Sequence, residues 1–301
     1  MVKKFNNALI DFDKIHKGSR CIVSIGYDID MPGDFKYLYD PSIPWGTGPD
    51  GPGCHGHLNK DVINYIKILV KIADNYNAKL QFFLEGNTLE DDISPWVEII
   101  KKGHAVDQHT YSHIHLLNTP IDKVESEILK TKELMEHKLE IVNIGLRGPG
   151  GYLTGLNNRT DLQQVILKAG IKFVSTHLFV PGGRTASEKI PPSIESISNS
   201  QPYLYETGLP EIPFCGYTDR QFFDVDQGGK GNLEEWIEYL KKAVDFAYEH
   251  KLVYALVVHP STSFKHDPEG KYLKQMLSYC REKEGIIICT YRDIYNWISN
   301  T

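Results

Sequence analysis

Two histidines four residues apart, His109 and His113, stand in the stretch "DQHTYSH" directly after a short apolar run. Residues at this spacing lie on the same face of a helical turn. Two imidazoles and one carboxylate can supply three ligands of a zinc ion and leave a fourth position open for water. An open position is typical of a catalytic metal, which polarises a carbonyl group and lowers the pKa of water. The spacing therefore raises the hypothesis of a hydrolytic metal site.

A carboxylate for such a site is available in three Asp-x-Asp triplets. Only Asp28 and Asp30 end a clean apolar run, "CIVSIGYDID", whereas the other triplets are typical of solvated turns. In (β/α) barrels the site residues follow the strands, so polar residues after other apolar runs are also candidates. These candidates are Arg147 in "LRGPGG" and His259 in "VVHP".

The elements that would position these residues alternate in type along the chain. Apolar runs are separated by segments with apolar residues at helical spacing, such as 58–76 and 118–138. Several runs are apolar on both faces, as are strands of a parallel sheet covered by helices. The alternation predicts one α/β domain built as a βα-repeating barrel. The predicted strands are 21–30, 79–86, 104–109, 140–148, 171–177, 209–214, 252–260 and 285–290.

Two long Gly/Pro-rich segments, 31–57 and 178–213, interrupt this alternation. Long loops in a compact domain are usually functional, so we expect both around the mouth of the site. The prediction is a single catalytic domain over residues 1–301, with an inserted loop at about 31–57 that caps the pocket.

The composition excludes several classes of partner. The chain has 301 residues, of which 41% are hydrophobic and 24% charged, and a net charge of −6 with no basic run longer than a Lys pair. This charge argues against nucleic acid and anionic membranes as partners. No apolar stretch suits a signal peptide or a membrane span, which favours a cytoplasmic protein and leaves a homo-oligomer open. The five scattered cysteines indicate free thiols.

Taken together, these motifs resemble the polysaccharide deacetylase (NodB-homology) superfamily, carbohydrate esterase family four in its wide sense. The most specific piece is "HTYSH" at 109–113, which is similar to the family's H-[ST]-x-x-H metal motif. The resemblance extends from about Cys21 to Trp297. Its other pieces are "LQFFLEGN" at 80–87, "LRGPGGY" at 146–152, "VVHP" at 257–260 and the ending "IICTYRDIYNW".

The chain departs from the family pattern in two places. The common first motif, T-F-D-D-G, is replaced by "GYDID", in which one residue separates the two aspartates. This form resembles the branch that contains cytoplasmic peptidoglycan-deacetylase-like and allantoinase-like proteins. His259 is followed by Pro260 rather than by Asp or Ser.

The resemblance implies a distorted (β/α) barrel of the NodB type and a metal-dependent hydrolysis of a C–N amide bond. Asp28 would be the general base, Arg147 would hold it ionised, and His259 would be the acid. A divalent metal is implied, zinc first, with Co²⁺, Ni²⁺ or Fe²⁺ as alternatives. Its ligands would be Asp30, His109 and His113.

Further residues are expected to complete such a site. A backbone N–H near Gly150 and Gly151 would stabilise the oxyanion, and Tyr152 would line the pocket. Asp224 or Asp226 would support His259, and the sequence leaves both of them open.

The leading hypothesis for function is a deacetylase that removes acetate from a small N-acetylated sugar. The nearest alternative is a hydrolase of cyclic amides or imides, or of allantoin. A non-catalytic metal- or carbohydrate-binding protein is the alternative of another class, and the presence of every catalytic position argues against it.

Overall fold

The computed structural model describes residues 9–30, 57–178, 193–223 and 231–299. The predicted capping segment at about 31–57 therefore lies, except for His57, outside the described residues, and its capping role stays a prediction. Among the helices of the described ranges, none is both long enough and apolar enough to cross a membrane.

A sheet of nine strands occupies the centre of the described residues. Its order is β6-β7-β5-β4-β3-β2-β1-β8, and β9 pairs with β1. The pairs are parallel except for β6 with β7, which is antiparallel. The strands β1 to β9 are Cys21–Ile29, Gln81–Leu84, Ala105–Gln108, Gly145–Tyr152, Phe173–His177, Tyr203–Leu204, Pro210–Glu211, Val253–Val258 and Ile286–Cys289.

The sheet curls, and β1 pairs with three other strands. Every residue of β1 is buried, as expected of a parallel strand covered on both faces. One edge of β1 pairs with β9 over Cys21–Ser24 and with β2 over Gly26–Ile29, while the other pairs with β8. Beyond β7, the backbone N–H of Cys215 donates to the carbonyl of Ala255 in β8 at 3.0 Å. The predicted distorted (β/α) barrel is confirmed.

Helices with one apolar face cover the sheet. In the helix Lys60–Asn75 the Asn59 side chain caps the first turn by accepting from the N–H of Val62 at 2.9 Å. At the start of the helix Leu233–His250, Asn232 and Glu235 form a reciprocal capping box. Short 3₁₀ helices span Gly86–Glu90 and Ile194–Asn199. The helices α1 to α10 are Phe12–Ile15, Lys60–Asn75, Ser94–Lys101, Ile121–Leu139, Thr160–Lys168, Asp219–Phe223, Leu233–His250, Pro260–His266, Lys271–Arg281 and Tyr291–Ser299.

Strand β4 differs from its prediction. The apolar pattern placed it at 140–148, but it begins at Gly145 and runs through a glycine-rich stretch to Tyr152. The extension is held by pairing with β5, which resumes at Tyr152 and His177 after a shift in register. Backbone pairing rather than side-chain apolarity therefore sets the end of this strand.

Candidate active site

The ends of neighbouring strands bring the predicted site residues together. Asp28 belongs to β1 and Asp30 follows it, while His109 directly follows β3. Arg147 lies in β4, and His259 follows β8 as the N-cap of α8. Because β4, β3, β2, β1 and β8 are consecutive in the sheet, their carboxyl ends form one arc.

Asp30, His109 and His113 form a group that could hold a metal ion. Each offers one ligand atom, and the three atoms lie within 4.8 Å of one another. All three side chains are buried, and His113 Nε2 lies 3.5 Å from Asp30 Oδ2. Two imidazole nitrogens and one carboxylate oxygen are a donor set that divalent transition metals accept.

The "HTYSH" segment is a turn and not a turn of helix, so the predicted helical geometry is wrong. Thr110 and His113 have left-handed backbones, with φ of 62° and 57°. The segment is held from outside, since Glu127 of α4 accepts from the Ser112 N–H at 2.8 Å and from its hydroxyl. Left-handed non-glycine residues are costly and concentrate at functional sites. The turn nevertheless directs both imidazoles to Asp30.

His109 is oriented as a ligand would be. Its Nδ1 lies 2.8 Å from the carbonyl oxygen of Arg147, so Nδ1 carries the proton and Nε2 keeps its lone pair. A hydrogen bond of this kind usually fixes the tautomer of a metal-binding histidine. Burial, with His113 adding to it, lowers the pKa of His109 well below its ordinary value. The imidazole is thus held in the neutral form that binds metals, and the three residues fit a divalent cation.

Asp28 and Arg147 form a buried charge pair beside this group. Arg147 Nε lies 3.3 Å from Asp28 Oδ1. Burial raises the pKa of Asp28, and the nearby Arg147 and His259 offset this only in part. The Arg147 guanidinium is enclosed by the rings of Phe83, Phe214 and Tyr291, at 4.5, 4.2 and 5.0 Å from their centroids. The enclosure holds the cation against the carboxylate.

His259 lies on the other side of Asp28, with Nε2 3.9 Å from Asp28 Oδ2. Its partner is Asp219, at the start of α6. The Asp219 carboxylate lies 2.6 Å from His259 Nδ1 and accepts a hydrogen bond from the His259 backbone N–H at 2.9 Å. Burial and Arg220 lower the pKa of His259, but Asp219 and Asp30 outweigh them, so the pKa is raised.

The sequence did not single out Asp219. Support for His259 was predicted from Asp224 or Asp226, both of which lie outside the described residues, so that role stays a prediction. Within the described residues, Asp219 contacts His259 Nδ1. Asp219 belongs to no Asp-x-Asp triplet, and its only local signal is the pair Asp219-Arg220 ahead of an aromatic run.

Arg220, the next residue of α6, was also not predicted. Its Nη2 lies 2.8 Å from Asp30 Oδ1, while Asp30 Oδ2 faces His113. Burial raises the pKa of Asp30, but Arg220, His259 and His113 outweigh it, and the pKa lies well below its ordinary value. Asp30 is therefore a carboxylate, the form a cation requires.

The glycines after Arg147 adopt left-handed backbones, with φ of 87° at Gly150 and 64° at Gly151. Their role at the oxyanion stays a prediction. Tyr152 makes the contacts of a core residue: it is buried, its hydroxyl accepts from the N–H of Leu116 at 3.1 Å, and its ring lies 4.6 Å from that of His115. These contacts do not include the metal-binding group.

Comparisons with known proteins agree with this geometry. The polysaccharide deacetylase family model matches residues 55–174. The peptidoglycan deacetylase of Helicobacter pylori is 23% identical over 249 residues, which are 75% of this chain and 80% of that protein.

Two solved structures share the fold. A Mycobacterium smegmatis protein assigned to the polysaccharide deacetylases aligns with a TM-score of 0.72 at 18% identity, over 94% of this chain and 91% of the other. An allantoinase aligns with a TM-score of 0.65 at 14% identity, over 94% and 91% of the two chains.

The matched residues 55–174 contain His109, His113 and Arg147. Asp28 precedes this range and His259 follows it, and the fold brings both of them to the same site. The predicted resemblance is thereby confirmed. The chain is thus similar to polysaccharide deacetylases, by the family model over residues 55–174 and by the Helicobacter pylori peptidoglycan deacetylase over 75% of its length.

Proposed function

We propose that the protein is a metal-dependent deacetylase that hydrolyses the acetamide of an N-acetylated sugar to an amine and acetate. The observation that carries this proposal is the convergence of Asp28 and His259, with 3.9 Å between Asp28 Oδ2 and His259 Nε2, beside the Asp30, His109 and His113 group. The similarity to a peptidoglycan deacetylase supports a sugar acetamide as the substrate.

The proposed ligands are Asp30, His109 and His113, and the proposed ion is zinc, with Co²⁺, Ni²⁺ or Fe²⁺ as alternatives. A divalent cation bound there would polarise the acetamide carbonyl and lower the pKa of water. Arg220 and His113 position Asp30, and the Arg147 carbonyl positions His109.

Asp28 is the proposed general base. As a new bond forms between the oxygen of water and the acetamide carbon, Asp28 takes the proton that the water loses. Its raised pKa makes it a stronger base than an exposed aspartate, while Arg147 keeps it ionised and aimed. Backbone N–H groups near Gly150 and Gly151 are proposed to stabilise the oxyanion.

His259 is the proposed general acid. When the C–N bond breaks, the imidazolium gives its Nε2 proton to the leaving nitrogen, so that acetate and a free amine are released. Asp219 holds the opposite nitrogen, which keeps Nε2 directed at Asp28 and at the space between them. The proton then returns from Asp28 to His259 through solvent.

The proposal is tested first by metal content. Protein purified without chelators should contain one divalent ion, as measured by elemental analysis, and His113→Ala should lose it. His137→Ala, an exposed histidine of α4, is the matched control and should keep it. Because burial lowers the pKa of His109, this ligand should stay neutral and available to the ion at pH values below the ordinary histidine pKa of about 6.5. Wild-type protein that binds no divalent ion would overturn the proposed metal dependence.

The substrate class is tested by turnover. The metal-loaded protein should release acetate from N-acetylglucosamine or chitooligosaccharides. Ring opening of allantoin, hydantoin or succinimide without acetate release would instead establish a cyclic amide hydrolase. This alternative is tested because an allantoinase has a similar fold. Metal binding without turnover of either class would point to a non-catalytic binding protein.

The segment at about 31–57 is proposed to cap the pocket of a single domain and to favour small substrates.

Asp219→Asn should change the pH profile of turnover. The Asp219 charge raises the pKa of His259, and the protonated imidazole is the acid, so activity is lost as pH rises through that pKa. Removing the Asp219 charge lowers the pKa of His259, so the alkaline limb of the kcat profile moves to lower pH. At pH values above the shifted limb, turnover should be roughly tenfold lower than in wild type. Unchanged limbs in Asp219→Asn would mean that His259 is not the titrating acid.

A further inference from the structure

Glu85 is a fully buried carboxyl group that the mechanism above does not use. It follows β2 and its residue exposure is 0%. Neither of its carboxylate oxygens has a hydrogen-bond partner within the described residues. Burying a carboxyl group without a partner is costly, so such groups are usually paired or bind a cation.

The sheet places Glu85 between two of the candidate metal ligands. The register of β1 with β2 pairs Ile29 with Leu84, so the next residues, Asp30 and Glu85, lie side by side. On the other edge of β2, the N–H of His109 donates to the carbonyl of Leu84 at 2.7 Å. Glu85 therefore occupies the strand end between those that carry Asp30 and His109.

The pleat directs Glu85 toward the same side as these ligands. Gly86 faces α4, because a Cβ there would lie 2.6 Å from Thr131 Oγ1. Glu85 still has an extended backbone, with φ −64° and ψ 138°, and alternate residues of a strand face opposite sides. Glu85 thus faces away from α4 and into the barrel. Neighbouring strands lie about 4.8 Å apart, so a cation shared by Asp30 and His109 sits over the end of β2.

The electrostatics of the site agree with this placement. Burial, with Asp30 adding to it, raises the pKa of Glu85 well above its ordinary range, and Arg220 offsets this only in part. Asp30 and Arg220 are the groups at the metal-binding site, so Glu85 shares their environment. A cation there would supply the charge that the carboxylate lacks.

We propose that Glu85 is a second acidic group of the metal centre, whose carboxylate faces the cation held by Asp30, His109 and His113 and strengthens its binding. This inference rests on the proposed metal site.

The test measures zinc affinity and the stability of the metal-free protein in Glu85→Gln, which removes the charge and keeps the size. Competition with a chelator should show zinc binding weakened about 10–100-fold, the range typical of losing a group that supports a metal ligand. The metal-free variant should unfold at the same or a higher temperature than metal-free wild type, because Glu85 has no partner to lose. Glu85→Asp, which retains the charge, should recover part of the affinity.

Glu211→Gln is the matched control. Glu211 is equally buried, but its carboxylate accepts from Thr176 and Tyr205. This variant should unfold at a lower temperature and bind zinc as wild type does.

The outcomes separate this inference from the proposed function. Wild-type protein that binds no zinc would overturn both. If wild type binds zinc and Glu85→Gln binds it equally, only the role of Glu85 is wrong. Equal loss of affinity in Glu85→Gln and Glu85→Asp, together with a lower unfolding temperature of both metal-free variants, would make Glu85 a structural residue and also overturn the inference.

Discussion

Asp28→Asn should lower acetamide hydrolysis by roughly 10²–10⁴-fold, because an amide cannot take the proton that water loses. The bound ion should remain, since Asp28 is outside the ligand group of Asp30, His109 and His113. The substitution also leaves the buried Arg147 guanidinium, 3.3 Å from Asp28, without an anionic partner, so the unfolding temperature should fall. Turnover is therefore measured well below that temperature, beside metal content.

Asp30→Asn is the comparison for this result. Since the two aspartates are two residues apart in an extended segment, both side chains face the site. Their substitution should nevertheless impair different properties of the protein. Asp30→Asn should lose metal first, with activity following and partly restored by excess ion, because a neutral oxygen is a poorer ligand. Loss of the ion in Asp28→Asn and its retention in Asp30→Asn would reverse the two roles.

His259→Ala should lower turnover by a similar factor, roughly 10²–10⁴-fold, while metal content stays near that of wild type. The physical reason is that an amine leaves as a strong base unless it is protonated, and His259 Nε2 is the donor nearest to Asp28 on the side of β8. A substrate whose leaving group needs no proton provides the control. Hydrolysis of an activated aryl acetate should be affected much less than hydrolysis of the acetamide.

Two results would contradict this assignment. Equal losses for the acetamide and the aryl ester would show that His259 does not act on the leaving group. Loss of the ion from His259→Ala would make His259 a ligand instead.

The strands and the metal-binding group were predictable because their signals are local. The apolar runs located β1, β3 and β8 to within about two residues, and each run ends in a residue of the site. The four-residue spacing of His109 and His113 indicated that they share a site. The helical turn predicted from this spacing was wrong, because the left-handed turn that forms depends on hydrogen bonds to Glu127 on α4.

Asp219, Arg220 and Glu85 were missed for a different reason. Asp219 and Arg220 belong to the five-residue helix Asp219–Phe223, which is too short to show a period, and their partners His259 and Asp30 lie far away in sequence. Glu85 was included in a predicted strand, but only the register with β1 and β3 shows which residues it adjoins. Charge partners across a sheet are a tertiary property.

The packing of Gly26 against Arg147 bears on how active and inactive relatives of this protein can be told apart. A Cβ at position 26 would lie 2.8 Å from Arg147 Nη2 and 2.9 Å from Tyr291 Cε2. The guanidinium also lies against the rings of Phe83 and Phe214, so a shift that makes room for the methyl group would disturb the contacts that hold it beside Asp28. A homologue could therefore retain every motif residue and still lose turnover through one added methyl group at a position that no motif includes. Inspection of position 26 would identify such inactive homologues, which a search for the motifs alone would count as enzymes.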